Sequence, residues 1–168
     1  MSEHTIETLN DADEAAFVEA LGGAYERSPW VAERARSERP FDGVADLHAS
    51  MKRVVESASR ERKLELLRAH PDLGDQTGIT DASEAEQASA GLDQLTPEQY
   101  EAFQRLNERY RDAFDFPFIM AVRNESPEAI RAAMERRLDN TEDEEFRAAL
   151  DEVHEIAGLR LDDLLTRV

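Results

Sequence analysis

His70 stands immediately before Pro71, and that pair carries the sharpest chemical signal in the 168-residue chain. A proline ring disfavours the α conformation in the residue before it, so the helix arriving through "LLRAH" should end at His70. A helix C-terminus favours protonated imidazole, and histidine exchanges its proton near neutral pH. From position alone, His70 is either a partner of the helix dipole or an acid–base group presented at a cleft. The polar, glycine-marked loop that follows, Pro71 to Asp81, is not core material. A second cluster lies in "SEAEQASAGL", where Ser83, Glu86 and Gln87 gather near a helix start. The S-x-x-E spacing lets Glu86 close a capping box on Ser83. The other reading is that exposed N–H groups and these polar side chains grip a polar ligand.

Arg160 is the third signal. It lies seven residues after Val153, three after Ala157 and four before Leu164, which places it on the apolar stripe of the last helix. A guanidinium directed inward requires an anionic or carbonyl partner, either an internal carboxylate or a ligand. Arg123, which closes an apolar segment, poses the same question. His4 and His48 read as surface or helix-face residues, and His154 sits in the acidic final helix. His154-Glu155 lacks the second histidine of a zinc-protease helix, and a chain without cysteine offers no thiolate nucleophile or thiolate metal site. The residues alone therefore reach an acid–base site for a small anion, with no metal.

The elements that must position these groups read as helices. Asp11 with Glu14 forms a capping box ahead of "AAFVEAL", and Gly22-Gly23 stops that helix. Ser28 reads as an N-cap with Pro29 in the first helical position. Val44, Leu47, Met51, Val54 and Val55 repeat at helical spacing, followed by Leu64, Leu66 and Leu67. Thr96-Pro97 opens a long helix carrying Tyr100, Phe103, Leu106 and Tyr110. Ser126-Pro127 opens another through Leu138, and Thr141 with Glu144 boxes the last. The expectation is an all-α fold of seven or eight helices in a single compact domain spanning residues 1–168. One stretch resists helix: "FDFPFIMAVRN", Phe114 to Asn124, is continuously apolar around Pro117. It should thread the core as extended chain, leaving backbone N–H and C=O groups that need partners, a bound polar ligand among them.

Composition sets outer limits. With 20 Lys+Arg against 38 Asp+Glu the formal net charge is −18, which repels phosphate backbones and anionic membranes. The expectation is a protein with no nucleic-acid and no membrane partner. Only Lys52 and Lys63 are lysines, and an acid-rich, lysine-poor surface suits concentrated salt. An acidic N-terminus without an apolar run, and no stretch of about 18 apolar residues, lead to the expectation of a soluble cytoplasmic protein.

Four ordered motifs, "AHPDLG", "SEAEQASAGLDQL", "RLNERYRDAFDFPFIMAVR" and "LRLDDLL", resemble those of the 2-oxo-4-hydroxy-4-carboxy-5-ureidoimidazoline (OHCU) decarboxylase family. "LGGAYERSPWVAERARSERPF" resembles that family's opening, so the match runs from about Leu21 to Leu165. The resemblance implies a cofactor-free helical decarboxylase of urate breakdown, forming (S)-allantoin from a small anionic substrate and assembling as a homodimer. It assigns His70 as the catalytic acid–base group with Glu86 as its catalytic partner. It places Pro71, the run Ser83, Glu84, Ala85 and Gln87, and the backbone of Phe118, Ile119, Met120, Ala121 and Val122 around the substrate. Arg160 would meet substrate negative charge, and Arg123 matches the arginine after the F-P-F segment. Gly74 stands where alanine is common in the family. The rivals are a relative acting on another ureido or imidazoline compound and a non-catalytic helical interaction module.

Overall fold

The computed structural model describes residues 4–75 and 79–165, so residues 76–78 of the predicted loop lie outside the described residues. The described residues form nine α-helices, one 3-10 turn and an isolated bridge between His4 and Leu165. They divide into two compact units, Met1–Ala69 with His154–Val168, and His70–Val153. The all-helical class is as the sequence predicts.

The first unit contains α1 (Ile6–Asp11), α2 (Glu14–Leu21), α3 (Trp30–Ala35), the 3-10 turn Arg36–Glu38, α4 (Val44–Glu56), α5 (Arg60–Arg68) and the C-terminal part of α9 (Glu142–Leu164). The helix beyond the expected seven or eight is α1, capped by a reciprocal Thr5–Thr8 box. Asp13, not Asp11, caps α2 by accepting from the Ala16 N–H, and Gly22 ends it. The residue nearest the first unpaired N–H groups wins the cap, and Asp11 is still inside α1. Ser28 gives no cap either, since its hydroxyl turns back to donate to the Glu26 carbonyl. The last carbonyls of α1 are instead satisfied by Arg39, whose Nη1 donates to Leu9, Asn10 and Ala12 at 3.0, 2.9 and 2.7 Å. α3 packs on α2 and α4. Leu47, Met51 and Val55 supply the buried face of α4, at the predicted spacing. A Cβ at Gly158 would come within 2.8 Å of the His48 ring, so glycine lets α4 and α9 close together there.

The second unit contains α6 (Asp81–Ser89), α7 (Pro97–Phe114), α8 (Pro127–Arg137) and the start of α9. Thr96, Ser126 and Thr141 cap α7, α8 and α9 as the sequence predicts. Phe103, Leu106, Tyr110 and Phe114 line the buried face of α7. Tyr100, expected in that stripe, is 42% exposed because it sits on the first turn, with its hydroxyl accepting from Gln104. Asp115 ends α7 in the left-handed conformation, φ 63°. The chain then runs non-helically, and the Phe114, Phe116 and Phe118 rings lie 4.7, 5.8 and 5.4 Å from the Tyr110 ring. Such aromatic pairs each add about 0.5–1.5 kcal/mol beyond area burial. That cluster is why the F-D-F-P-F stretch is core without being helix.

Candidate active site

His70 is the first residue of the second unit, two positions beyond the end of α5, and only 7% exposed. The helix stops at Ala69, where the proline requires it to stop. The loop after Pro71 is held by three side chains. Asn107 Nδ2 donates to the Leu73 carbonyl at 3.0 Å, and Arg111 Nε donates to Asp72 at 2.9 Å. The Gly74 N–H donates to Gln87 Oε1 at 3.0 Å. Gly74 itself adopts φ 89°, a left-handed conformation that glycine takes without penalty.

α6 carries the second cluster. Its N-cap is Thr80, whose hydroxyl accepts from the Ser83 N–H at 3.3 Å. Ser83 is therefore the third helical residue, and the capping-box reading of Ser83 and Glu86 is overturned. Ser83 and Gln87, four residues apart, are buried on one face, and Glu86, half-buried, shares that face. Glu84 and Ala85 are exposed. Gly91, at φ 77°, ends the helix with the Leu92 N–H returned to the Gln87 carbonyl at 2.9 Å.

The third piece is the Phe116–Val122 segment. Its Ile119 carbonyl accepts from Arg137 Nη1 at 2.6 Å, and the Ala121 N–H donates to Glu152 at 3.3 Å. The Val122 carbonyl accepts from the Glu125 N–H at 2.9 Å. The N–H groups of Phe118, Ile119, Met120 and Val122 have no partner among the described residues, although Phe118, Ile119 and Val122 are buried. Buried amides are paired almost without exception, so such a row calls for water or a ligand. α6 joins the pieces: Gln87 grips the loop after His70, and Ser89 Oγ accepts the Asn124 N–H at 3.4 Å where the extended segment ends. Arg123 is half-buried beside that junction.

Arg160 belongs to the first unit and points inward, as its place on the stripe predicts. Nη1 donates to the Gly23 carbonyl at 3.0 Å and Nη2 to Glu26 at 3.2 Å. His154, which the sequence placed only in the acidic final helix, is buried. Its Nε2 donates to the Glu56 carboxylate at 2.8 Å, leaving Nδ1 to accept from the Tyr25 hydroxyl at 2.7 Å. Burial, reinforced by the Glu56 charge, raises the Tyr25 pKa well above its ordinary value. His48, whose Nε2 donates to the His154 carbonyl, is half-buried; desolvation and then the Lys52 charge hold its pKa below the usual imidazole range.

The OHCU decarboxylase family profile matches residues 10–162. The chain belongs to the OHCU decarboxylase family. It is 65% identical over 161 residues to a 2-oxo-4-hydroxy-4-carboxy-5-ureidoimidazoline decarboxylase of Haloferax volcanii, covering 96% of each chain. A protein of the same description from Halalkalicoccus jeotgali is 56% identical, covering 98% of this chain and 93% of that one. The crystal structure of an (S)-allantoin synthase superposes with a TM-score of 0.79 at 36% identity, covering 96% of this chain. The chain spans 54% of that protein's length. Family membership joins the four motifs to residues that now have positions: the buried imidazole, the polar face of α6 and the row of amides. No helix among the described residues is long and apolar enough to cross a membrane.

Proposed function

We propose that this member of the OHCU decarboxylase family converts OHCU to (S)-allantoin without a cofactor, with His70 as the proton-delivering group. The observation that carries the reading is the 65% identity, over nearly the full length of both chains, to a relative described as that decarboxylase. The profile runs across both units, and we read them as one functional domain. The amides of Phe118, Ile119, Met120 and Val122 support a substrate rich in carbonyl and ureido oxygens, because those acceptors complement unpaired donors. Pro71, Ser83, Glu84, Ala85, Gln87, Ala121 and Arg123 complete the substrate surroundings in this reading, and Arg160 counters substrate charge.

The chemistry follows from the substrate. The bond between the ring carbon and its carboxylate breaks, carbon dioxide leaves, and the electron pair passes into the adjacent C=N group. The substrate is thus its own electron sink. His70 then delivers a proton to one face of the enaminol-like intermediate, and delivery from one side sets the configuration of the product. A histidine near its working pH suits that transfer, Glu86 orients it or holds the ureido group, and a dry pocket favours loss of the charged carboxylate. A homodimer, a cytoplasmic location and a salt-adapted acidic surface belong to the same proposal.

The test is freshly generated OHCU followed by circular dichroism for optically active allantoin. The parent should accelerate its appearance, and His70→Ala should lower kcat by about 100-fold or more in a folded protein. Near-parental turnover by folded H70A would sink the assignment. A parent inert on OHCU but active on another ureido compound would move the substrate within the family.

A further inference from the structure

Arg137, the last residue of α8, is not a predicted site residue, yet its guanidinium reaches the predicted pocket wall at the Ile119 carbonyl and the Phe118 ring. Nε donates to Glu145 Oε1 at 3.1 Å, and Nη2 lies 2.5 Å from Glu145 Oε2 as an ion-pair contact. Nη1 donates to the Ile119 carbonyl at 2.6 Å, and the guanidinium carbon sits 4.4 Å from the centre of the Phe118 ring. Glu145 is wholly buried and is held in turn by the Tyr110 hydroxyl and by Asn140 Nδ2 at 3.0 Å. Tyr110 stacks edge-on against Phe118. One ionic network therefore grips both the ring and the carbonyl of the same short stretch of extended chain.

The consequence lies in the peptide planes. In a trans peptide the C=O and the following N–H point in opposite directions. Fixing the Ile119 carbonyl on Arg137 turns the Met120 N–H away from Arg137. Fixing the Ala121 N–H on Glu152, 3.3 Å away, turns the Met120 carbonyl away from Glu152. Two adjacent planes are pinned by the protein, and among the described residues neither polar group of Met120 has a backbone partner. A planar guanidinium suits this task because it can hold a carboxylate edge-on and still direct a third N–H elsewhere, which an ammonium cannot do with the same geometry.

We infer that Arg137, oriented by Glu145 and Tyr110, is a positioning residue for the decarboxylation: it sets the orientation of the Ile119–Met120 peptide so that the Met120 main chain meets the substrate. The inference rests on the reading of Phe118–Val122 as pocket wall. Its role is to hold donors in place before substrate arrives, and misplacing such groups by about 1 Å costs up to about 100-fold in rate.

The test uses two proteins beside the parent. Arg137→Lys keeps a charge opposite Glu145 and loses the fork; the pair Arg137→Met with Glu145→Gln removes both charges together, so no carboxylate is buried alone. Each is measured for melting temperature, for kcat, KM and the pH profile with OHCU, and for hydrogen exchange of peptides covering Phe116–Val122. Folded variants should show faster exchange confined to that segment and a kcat/KM lowered about 10-fold or more, mainly through KM, with an unmoved pH profile. Parental exchange or parental kcat/KM in a folded variant overturns the inference, as does a displaced pH profile, which would place the effect on the proton-delivering group. If the parent is inert on OHCU while exchange of the segment still responds to the substitutions, the clamp stands and the decarboxylase reading fails.

Discussion

The guanidinium of Arg160 faces the carboxylate of Glu26 at 3.2 Å, with side chains 5% and 2% exposed. The second donor contact, to the Gly23 carbonyl, holds the same guanidinium from another direction. An inward arginine on the stripe of α9 thus has an internal carboxylate, one of the two partners its position allows. In the proposed function it also counters substrate charge, and the two roles separate by substitution. Arg160→Lys keeps the charge but loses the planar fork. It should raise KM or lower kcat with OHCU from dilute buffer to molar potassium chloride, where the Debye length falls to about 3 Å and the field of a highly acidic protein is screened. Parental kinetics with a lowered melting temperature would make Arg160 a structural partner of Glu26 alone.

Thr80, not Ser83, caps α6, and this divides stability from activity along one helix. Thr80→Ala should cost about 1 kcal/mol, the usual loss for a capping hydroxyl. Glu86→Gln removes no cap and should leave stability within about 0.5 kcal/mol of the parent, while kcat falls sharply if Glu86 is the partner of His70. Melting curves and turnover for both variants decide it. An E86Q protein with parental kcat would remove Glu86 from the chemistry.

The helices were legible because capping residues and apolar spacing are local. Thr96, Ser126 and Thr141 act within three residues of themselves, and periodicity needs no partner. Ser28 and Asp11 misled because several polar residues compete for one helix start, and the winner depends on where the preceding chain ends. The resistance of Phe114–Asn124 to helix was also legible, together with the need of its backbone groups for partners. Its anchor was not read, although the stripe argument that found Arg160 reaches further. Glu145 lies four before Ala149 and eight before Val153, and His154 lies four after Leu150 and seven before Leu161. A polar residue on a buried stripe must have a partner; which partner is a matter of tertiary contact, and Tyr110, Tyr25 and Glu56 are far from them in sequence, while Arg137 lies on the preceding helix.

Gly74 makes a sharp test of the loop after His70. At φ 89° an alanine pays the left-handed penalty of about 1–2 kcal/mol. Its Cβ would also lie 3.3 Å from Leu95 Cδ1, tighter than ordinary contact. Gly74→Ala should lower the melting temperature and reduce kcat/KM, because the same residue's N–H is the link to Gln87. Gly23→Ala is the control, since a Cβ there meets nothing within 4 Å. Equal melting temperatures for the two variants would mean that the loop relaxes out of its left-handed turn at no cost.

Two buried tyrosines should make the fold lose stability at alkaline pH. Burial, then the Glu56 charge, raises the pKa of Tyr25; burial, then the hydrogen bond to Glu145, raises that of Tyr110. Both start from an ordinary value of 10.0. A raised folded-state pKa means that the native protein keeps its phenol proton while the unfolded chain releases it. The stability this represents is complete below pH 10 and is lost as pH rises above it, at about 1.4 kcal/mol per pH unit for each group. Denaturant titrations between pH 9 and pH 11 should therefore show a falling stability whose slope is reduced by Tyr25→Phe and reduced again by adding Tyr110→Phe, all at about half of the two-group slope per step. Each substitution also lowers the intercept, because His154 Nδ1 and Glu145 each lose a donor, so the slope and not the stability at one pH is the quantity to compare. A parental slope in the doubly substituted protein would show that neither phenol is the group that titrates.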